Sequence, residues 1–147
     1  MPEPAATTAF RTGAEGERKV AERILGRAGD QALFLHNRRI VPGRRDGDLD
    51  IVAVTARGVL VIDVKHYKDA KVEVRTRGGL FSARTQQLYV GGRDKTAWVA
   101  AMDKQRCAAR SALDAHEHTD VPILLTLCFV DAALPLLEKL SIGEIAI

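Results

Sequence analysis

A chain of 147 residues, 46% apolar and 28% charged, is long enough for one real core and too short for two. No apolar run approaches the roughly 20 residues of a membrane span and no apolar signal core opens the chain, so the sequence reads as a cytoplasmic protein without a membrane partner. The net charge of +3 is unevenly spread: residues 57–110 hold 12 Lys and Arg against 5 Asp and Glu, and Arg38, Arg39, Arg44 and Arg45 lie just upstream. That is the pattern of a polyanion-binding surface, although a merely soluble basic surface gives the same count.

Residues 1–10, rich in Pro, Ala and Thr without periodicity, are expected to be a mobile tail before a single domain over 11–147. Thr12-Gly13-Ala14-Glu15 has capping-box spacing and predicts a helix to about Gly29, with Val20, Ala21, Ile24, Leu25 and Ala28 as its apolar stripe. Glu17 precedes Val20, Ala21 and Ile24 by helical spacings and falls on the same inward face. Two readings of it stand: an acid at the edge of the stripe, favoured by the helix dipole, or an acid aimed at a site.

Leu33-Phe34-Leu35 begins a first strand, and Gly43 to Asp48 is a polar loop. The next segment carries most of the information. Leu49 to Thr55 and Gly58 to Lys65 are β-branched runs joined by Ala-Arg, which predicts two antiparallel strands. With the turn centred between Ala56 and Arg57, Asp50 lies directly opposite Asp63. Like charges in such a pair destabilise a sheet, and a bound cation would remove the cost. Side chains repeat every two residues along a strand, so Lys65 shares the face of Asp63. Both faces of these strands are apolar, Val52 and Val54 on one and Ile51 and Ala53 on the other, which predicts an α/β fold with helices on both faces of a central sheet.

Beyond Lys65, Lys71–Arg75, Leu80–Arg84 and Gln87–Val90, with breaks at Gly78-Gly79 and Gly91-Gly92, predict an exposed β meander. Asp94-Lys95-Thr96 caps a second helix to about Glu117, whose inward face is Trp98, Ala101, Met102, Gln105, Ala108, Ala109 and Ala112. Gln105 is a polar residue among apolar ones, and a buried polar group asks for a partner. Val121 to Val130 reads as a central strand, Leu134 to Leu140 as a short helix, and Glu144 to Ile147 as a strand cut at the chain end, which leaves room for a further domain or partner beyond Ile147. Cys107 and Cys128 have no partner at metal-ligand spacing and read as reduced structural thiols. His66 points away from the face of Lys65 and reads as a packing residue.

Gly13-Ala14-Glu15-Gly16-Glu17, the Asp50 strand, the strand ending Asp63-Val64-Lys65 and Gln105 in the next helix together resemble, over residues 13–130, the nuclease-related domain (NERD) family of the PD-(D/E)xK nuclease superfamily. Leu49 stands where the superfamily's name would put proline. The resemblance implies a restriction-endonuclease-like core, Asp50 and Asp63 as ligands of a divalent metal, Lys65 as the catalytic lysine, Glu17 as the first-helix acid and Gln105 as the second-helix polar residue. The expected cofactor is Mg²⁺ or Mn²⁺, with the main-chain carbonyl of Val64 as a further ligand. Hard carboxylate oxygens suit such an ion, and phosphodiester hydrolysis needs the activated water and charge relief it supplies. The expected partner is nucleic acid, chiefly DNA, with Arg75 and Arg84 on the binding surface. Two functions follow: a metal-dependent nuclease, or a non-catalytic nucleic-acid-binding or interaction module on the same fold.

Overall fold

The computed structural model describes residues 5–40 and 47–147; Arg44, Arg45 and most of the loop before Asp48 lie outside them. Helix α1 spans Ala5–Val20 and continues through a π-helical turn, Ala21–Leu25, into short helical turns that end at Gln31. Strands β1 (Ala32–Arg39), β2 (Asp48–Thr55), β3 (Gly58–His66), β4 (Val72–Gly79), β5 (Ser82–Val90) and β6 (Arg93–Asp94) follow. After helix α2 (Thr96–Asp114) come β7 (Ile123–Val130), β8 (Ser141–Ile142) and β9 (Ile145–Ala146). The main sheet has the order β1-β2-β3-β7-β9-β8, and β4-β5-β6 form a second, three-stranded sheet.

The fold is α/β with a mixed sheet: β1, β2 and β3 are antiparallel neighbours, whereas β3 and β7 run parallel, with α2 in the crossover between them. Pleat alternation sorts β3 between two layers. Ile62 and Val64 pack with Ile51 and Val20 of α1, while Val59 and Val61 pack with Met102 and Ala109 of α2 and with Leu125 and Leu127. Helices therefore cover both faces, as strands apolar on both sides require. No helix among the described residues is long and apolar enough to cross a membrane.

Two glycines set close approaches. Gly58, at φ +132°, begins β3 with its Cα against the Pro122 carbonyl, where an added Cβ would stand 2.5 Å from that oxygen. Gly16 lets α1 press on β3, since a Cβ there would lie 2.8 Å from the Cβ of His66. His66 fastens the same contact: its Nδ1 lies 3.0 Å from the Thr12 carbonyl and its Nε2 2.8 Å from Asp131, which also pairs with Lys19. His66 thus belongs to the α1 layer, as the alternation implies.

Several boundaries differ from the sequence reading. Residues 5–10, read as tail, are helical, and Thr12 is inside the helix with its hydroxyl donating to the Thr8 carbonyl instead of capping an end. The meander is one long hairpin plus the two-residue β6, with Leu80 in the turn between β4 and β5. Helix α2 stops at Asp114, three residues before Glu117. Leu134 to Leu140 form no helix; Pro135, which lacks a donor, stands in that stretch.

Candidate active site

The site begins where β2 and β3 part. Their ladder runs in the expected register from Thr55↔Gly58 to Ile51↔Ile62. Odd-numbered residues of β3 turn their N–H toward β7, as Val59 does to Pro122 O over 2.9 Å, so even-numbered residues turn theirs toward β2. The next bonded pair would be Leu49 with Val64. Instead, the Val64 N–H donates to Oδ2 of Asp50 over 2.8 Å, a side chain standing in for a carbonyl. The carbonyl of Val64 lies on the same edge of the strand, directed into the fork.

Asp50 and Asp63 meet at this fork as neighbouring carboxyl groups, Asp63 buried at 7% exposure. Burial pushes the pKa of Asp50 up to about 7; the Val64 N–H opposes the rise, and the charges of Asp63 and Glu17 add to it. Lys65 lies on the same side, with Nζ 2.7 Å from Asp63 Oδ2. Thus Asp50, Asp63 and Lys65 share one patch.

Glu17 comes from the other layer. Burial raises the pKa of its carboxyl, the neighbouring Asn37 side chain opposes the rise, and the charges of Asp48 and Asp63 add to it. It neighbours the aspartates through charge, with Asn37 beside it. Asn37 stands level with Asp50 in the β1–β2 register, and its left-handed backbone, φ 49°, breaks the alternation of β1 there.

Helix α2 supplies the other wall. Trp98 lies by Lys65, whose Nζ is 5.1 Å from the indole centre, and Ala109 and Leu113 lie by Val59, so the helix runs antiparallel to β3. A rise of about 1.5 Å per helical residue carries Gln105 about 10 Å past Trp98, and about 3.3 Å per strand residue makes that level with Ile62, next to Asp63 in the chain. Gln105 is 8% exposed, and its Oε1 is buried with no hydrogen-bond partner among the described residues. A buried amide oxygen left unpaired costs about 1–3 kcal/mol.

Three residues at the site escaped the sequence reading. Lys95 places Nζ 4.9 Å from the centre of the same Trp98 ring, and Trp98 itself, expected only as core, is half-exposed with Tyr67 at 5.4 Å. The Lys95 to Trp98 spacing was the available signal: positions three apart on a helix are neighbours. Asn37 carried none beyond its tolerance of the left-handed region.

Arg75 and Arg84 are not brought to one surface. The register Arg75↔Gln87 puts Arg75 on the hairpin face of Glu73 and Tyr89, where its guanidinium pairs with Glu73 at 3.0 Å and covers the Tyr89 ring at 4.0 Å. Arg84 alternates to the opposite face. Among the described residues no group of three or more His, Cys, Asp or Glu side chains could hold a metal ion.

Neither the curated proteins nor the solved structures contain a match to this chain. The nuclease-related domain model does match, over residues 12–130, a span that includes α1 from Thr12, the Asp50–Asp63–Lys65 fork, Gln105 and all of β7, and the chain belongs to the nuclease-related domain (NERD) family, of the PD-(D/E)xK kind.

Proposed function

We propose that this domain is a divalent-metal-dependent nuclease that hydrolyses phosphodiester bonds, with DNA as the substrate. The observation that carries the reading is the pair of neighbouring carboxyl groups, Asp50 and Asp63, at a fork in the sheet with Lys65 Nζ 2.7 Å from Asp63. A degenerate site would be expected to have lost one of the three. Asp50, Asp63 and the Val64 carbonyl are hard oxygen donors, and two carboxylates suit Mg²⁺, which keeps several of its waters. Glu17 would act from outside that set, beside Asn37 and adding negative charge. When bound, Mg²⁺ or Mn²⁺ supplies a water acidic enough to attack near neutral pH and offsets charge on the phosphate.

The chain's own groups account for the rest. Lys65, as an ammonium between a carboxylate and an indole face, suits neutralisation of the pentavalent phosphate in the transition state. Lys95 adds a second cation beside the same ring, placed to hold a neighbouring phosphate. The unpaired Oε1 of Gln105 suits a water that needs orienting.

The test is incubation with single-stranded, duplex and branched DNA in Mg²⁺, Mn²⁺ or EDTA, with Asp63→Asn as control. Cleavage in metal that vanishes in EDTA and in the variant is the expected result. Binding without cleavage under every condition would overturn it in favour of a non-catalytic nucleic-acid-binding module.

A further inference from the structure

The hairpin of β4 and β5 closes on Leu80 and Phe81, with Gly79 paired to Ser82 across the turn. Both side chains are fully exposed, at 98% and 101%. Tight hairpin turns draw on Asn, Asp and Gly, which meet the backbone's needs and like water. Here the turn instead holds two of the chain's larger apolar side chains where nothing covers them. Behind the tip the ribbon is basic: residues 74–93 contain Arg75, Arg77, Arg84 and Arg93 and no carboxylate. Arg77 pairs in register with Thr85, and alternation puts Arg77 and Arg84 on opposite faces, so the tip is straddled by cations.

The base of the hairpin is anchored beside the site. Val72, Leu88 and Val90 are buried in the core, the Leu88 N–H donates to the Thr96 hydroxyl over 3.1 Å, and the Lys95 N–H donates to the Leu88 carbonyl over 2.8 Å. From Leu88 to Leu80 the strand extends about 26 Å at about 3.3 Å per residue, the length of seven or eight steps of a B-form duplex at about 3.4 Å each.

We propose that Leu80 and Phe81 are a wedge that enters a base step of a nucleic-acid duplex while Arg77 and Arg84 grip the phosphates on either side. This rests on the reading of the domain as one that handles nucleic acid. Apolar side chains inserted at a base step unstack it, and the cost is offset by removing them from water and by contact with the bases. A second copy is a poor occupant, because tip-to-tip pairing would bring together two ribbon ends that each carry Arg77 and Arg84, with no acid between Val74 and Arg93.

The experiment uses duplexes with 2-aminopurine at successive positions, bound in EDTA by the Asp63→Asn protein so that cleavage does not intrude. Binding should raise emission at one or two steps. Adding Leu80→Ser and Phe81→Ser should abolish that rise and weaken binding about tenfold or more, with unchanged thermal unfolding because the tip packs on nothing. Arg77→Ala with Arg84→Ala should weaken binding and lower the salt slope by about two, yet keep the emission rise at saturation. A rise that survives loss of the tip, or failure to bind any duplex, overturns the wedge. So does a tip whose removal leaves DNA binding intact and instead abolishes binding to phosphatidylglycerol vesicles or dissociates a dimer. Tip-dependent emission from a protein whose wild type cuts no substrate would sustain the wedge and reject the nuclease; cleavage with tip-independent emission would do the reverse.

Discussion

The main-chain N–H of Val64 donates to the carboxyl of Asp50 over 2.8 Å at the point where β2 and β3 separate. One bond thereby ends a ladder, fixes an acid and brings it beside Asp63. The site is a fault in the sheet that its own side chains satisfy.

That fault makes stability depend on pH. Asp50 has a folded pKa of about 7 against an ordinary 3.8, so between these values the folded chain binds more protons than the unfolded one. Without metal, stability should therefore fall as pH rises through that window, by at most about 4 kcal/mol less the screening allowed to a half-buried carboxyl. Asp50→Asn keeps an acceptor for Val64 and removes the charge, so denaturant unfolding in EDTA should give a flatter profile for the variant. With Mg²⁺ the wild-type trend should reverse near the upper end, since cation and proton compete. A wild-type profile without this slope would mean that Asp50 is not buried as described.

Trp98 is the chain's single tryptophan and has Lys65 and Lys95 within about 5 Å of its ring centre. Its emission should respond to Mg²⁺, because an ion between Asp50 and Asp63 competes with Lys65 for Asp63 and shifts the ammonium over the indole. Asp63→Asn should remove the response, and Lys95→Ala should leave it. An Mg²⁺ titration of intrinsic fluorescence decides this, and a signal that persists in Asp63→Asn would place the ion elsewhere.

Much of this was legible in the sequence because a strand's period is two and a hairpin's turn fixes its register. Those rules alone bring Asp50, Asp63 and Lys65 to one face and send His66 to the other. The second helix was read correctly at Met102 and Gln105, which are buried, whereas Ala101 and Ala112 of the same expected face, and Ile24 of the first helix's expected stripe, are exposed. What stayed hidden depends on departures from regularity. The fork at Val64 replaces a backbone bond with a side chain, Asn37 leaves the β region, and Leu80 and Phe81 put apolar residues where turn chemistry expects polar ones. The helix start at Ala5 was missed for a related reason, since Thr12 had suitable capping chemistry and used it inside the helix.

The two glycines at the centre of α1 separate packing from propensity. A Cβ at Gly16 would stand 2.8 Å from that of His66, whereas one at Gly13 meets nothing within 4 Å. Gly16→Ala should destabilise the fold by about 1–3 kcal/mol, forcing α1 off β3 and loosening Glu17 with it. Gly13→Ala should stabilise by up to about 1 kcal/mol through helix propensity alone. Urea midpoints of the two variants check both signs, and equal effects would mean that α1 does not dock through Gly16.

The sharpest division between site and scaffold lies at Gln105. Its Oε1 is buried without a partner among the described residues, on a helix face otherwise filled by Met102 and Ala109. Were the residue there for packing, a leucine would serve better, because an unpaired amide oxygen costs about 1–3 kcal/mol that an apolar side chain of similar size avoids. Gln105→Leu should therefore raise the thermal midpoint of the metal-free protein. The same variant should lower metal-dependent cleavage through kcat with little change in KM, because a group that orients the attacking water acts on the transition state and leaves substrate binding alone. A thermal midpoint that falls would show that Gln105 already has a structural partner, such as an ordered water that it holds in the resting protein. Cleavage that proceeds at the wild-type rate in Gln105→Leu would remove it from the site and leave Asp50, Asp63 and Lys65 to act without it.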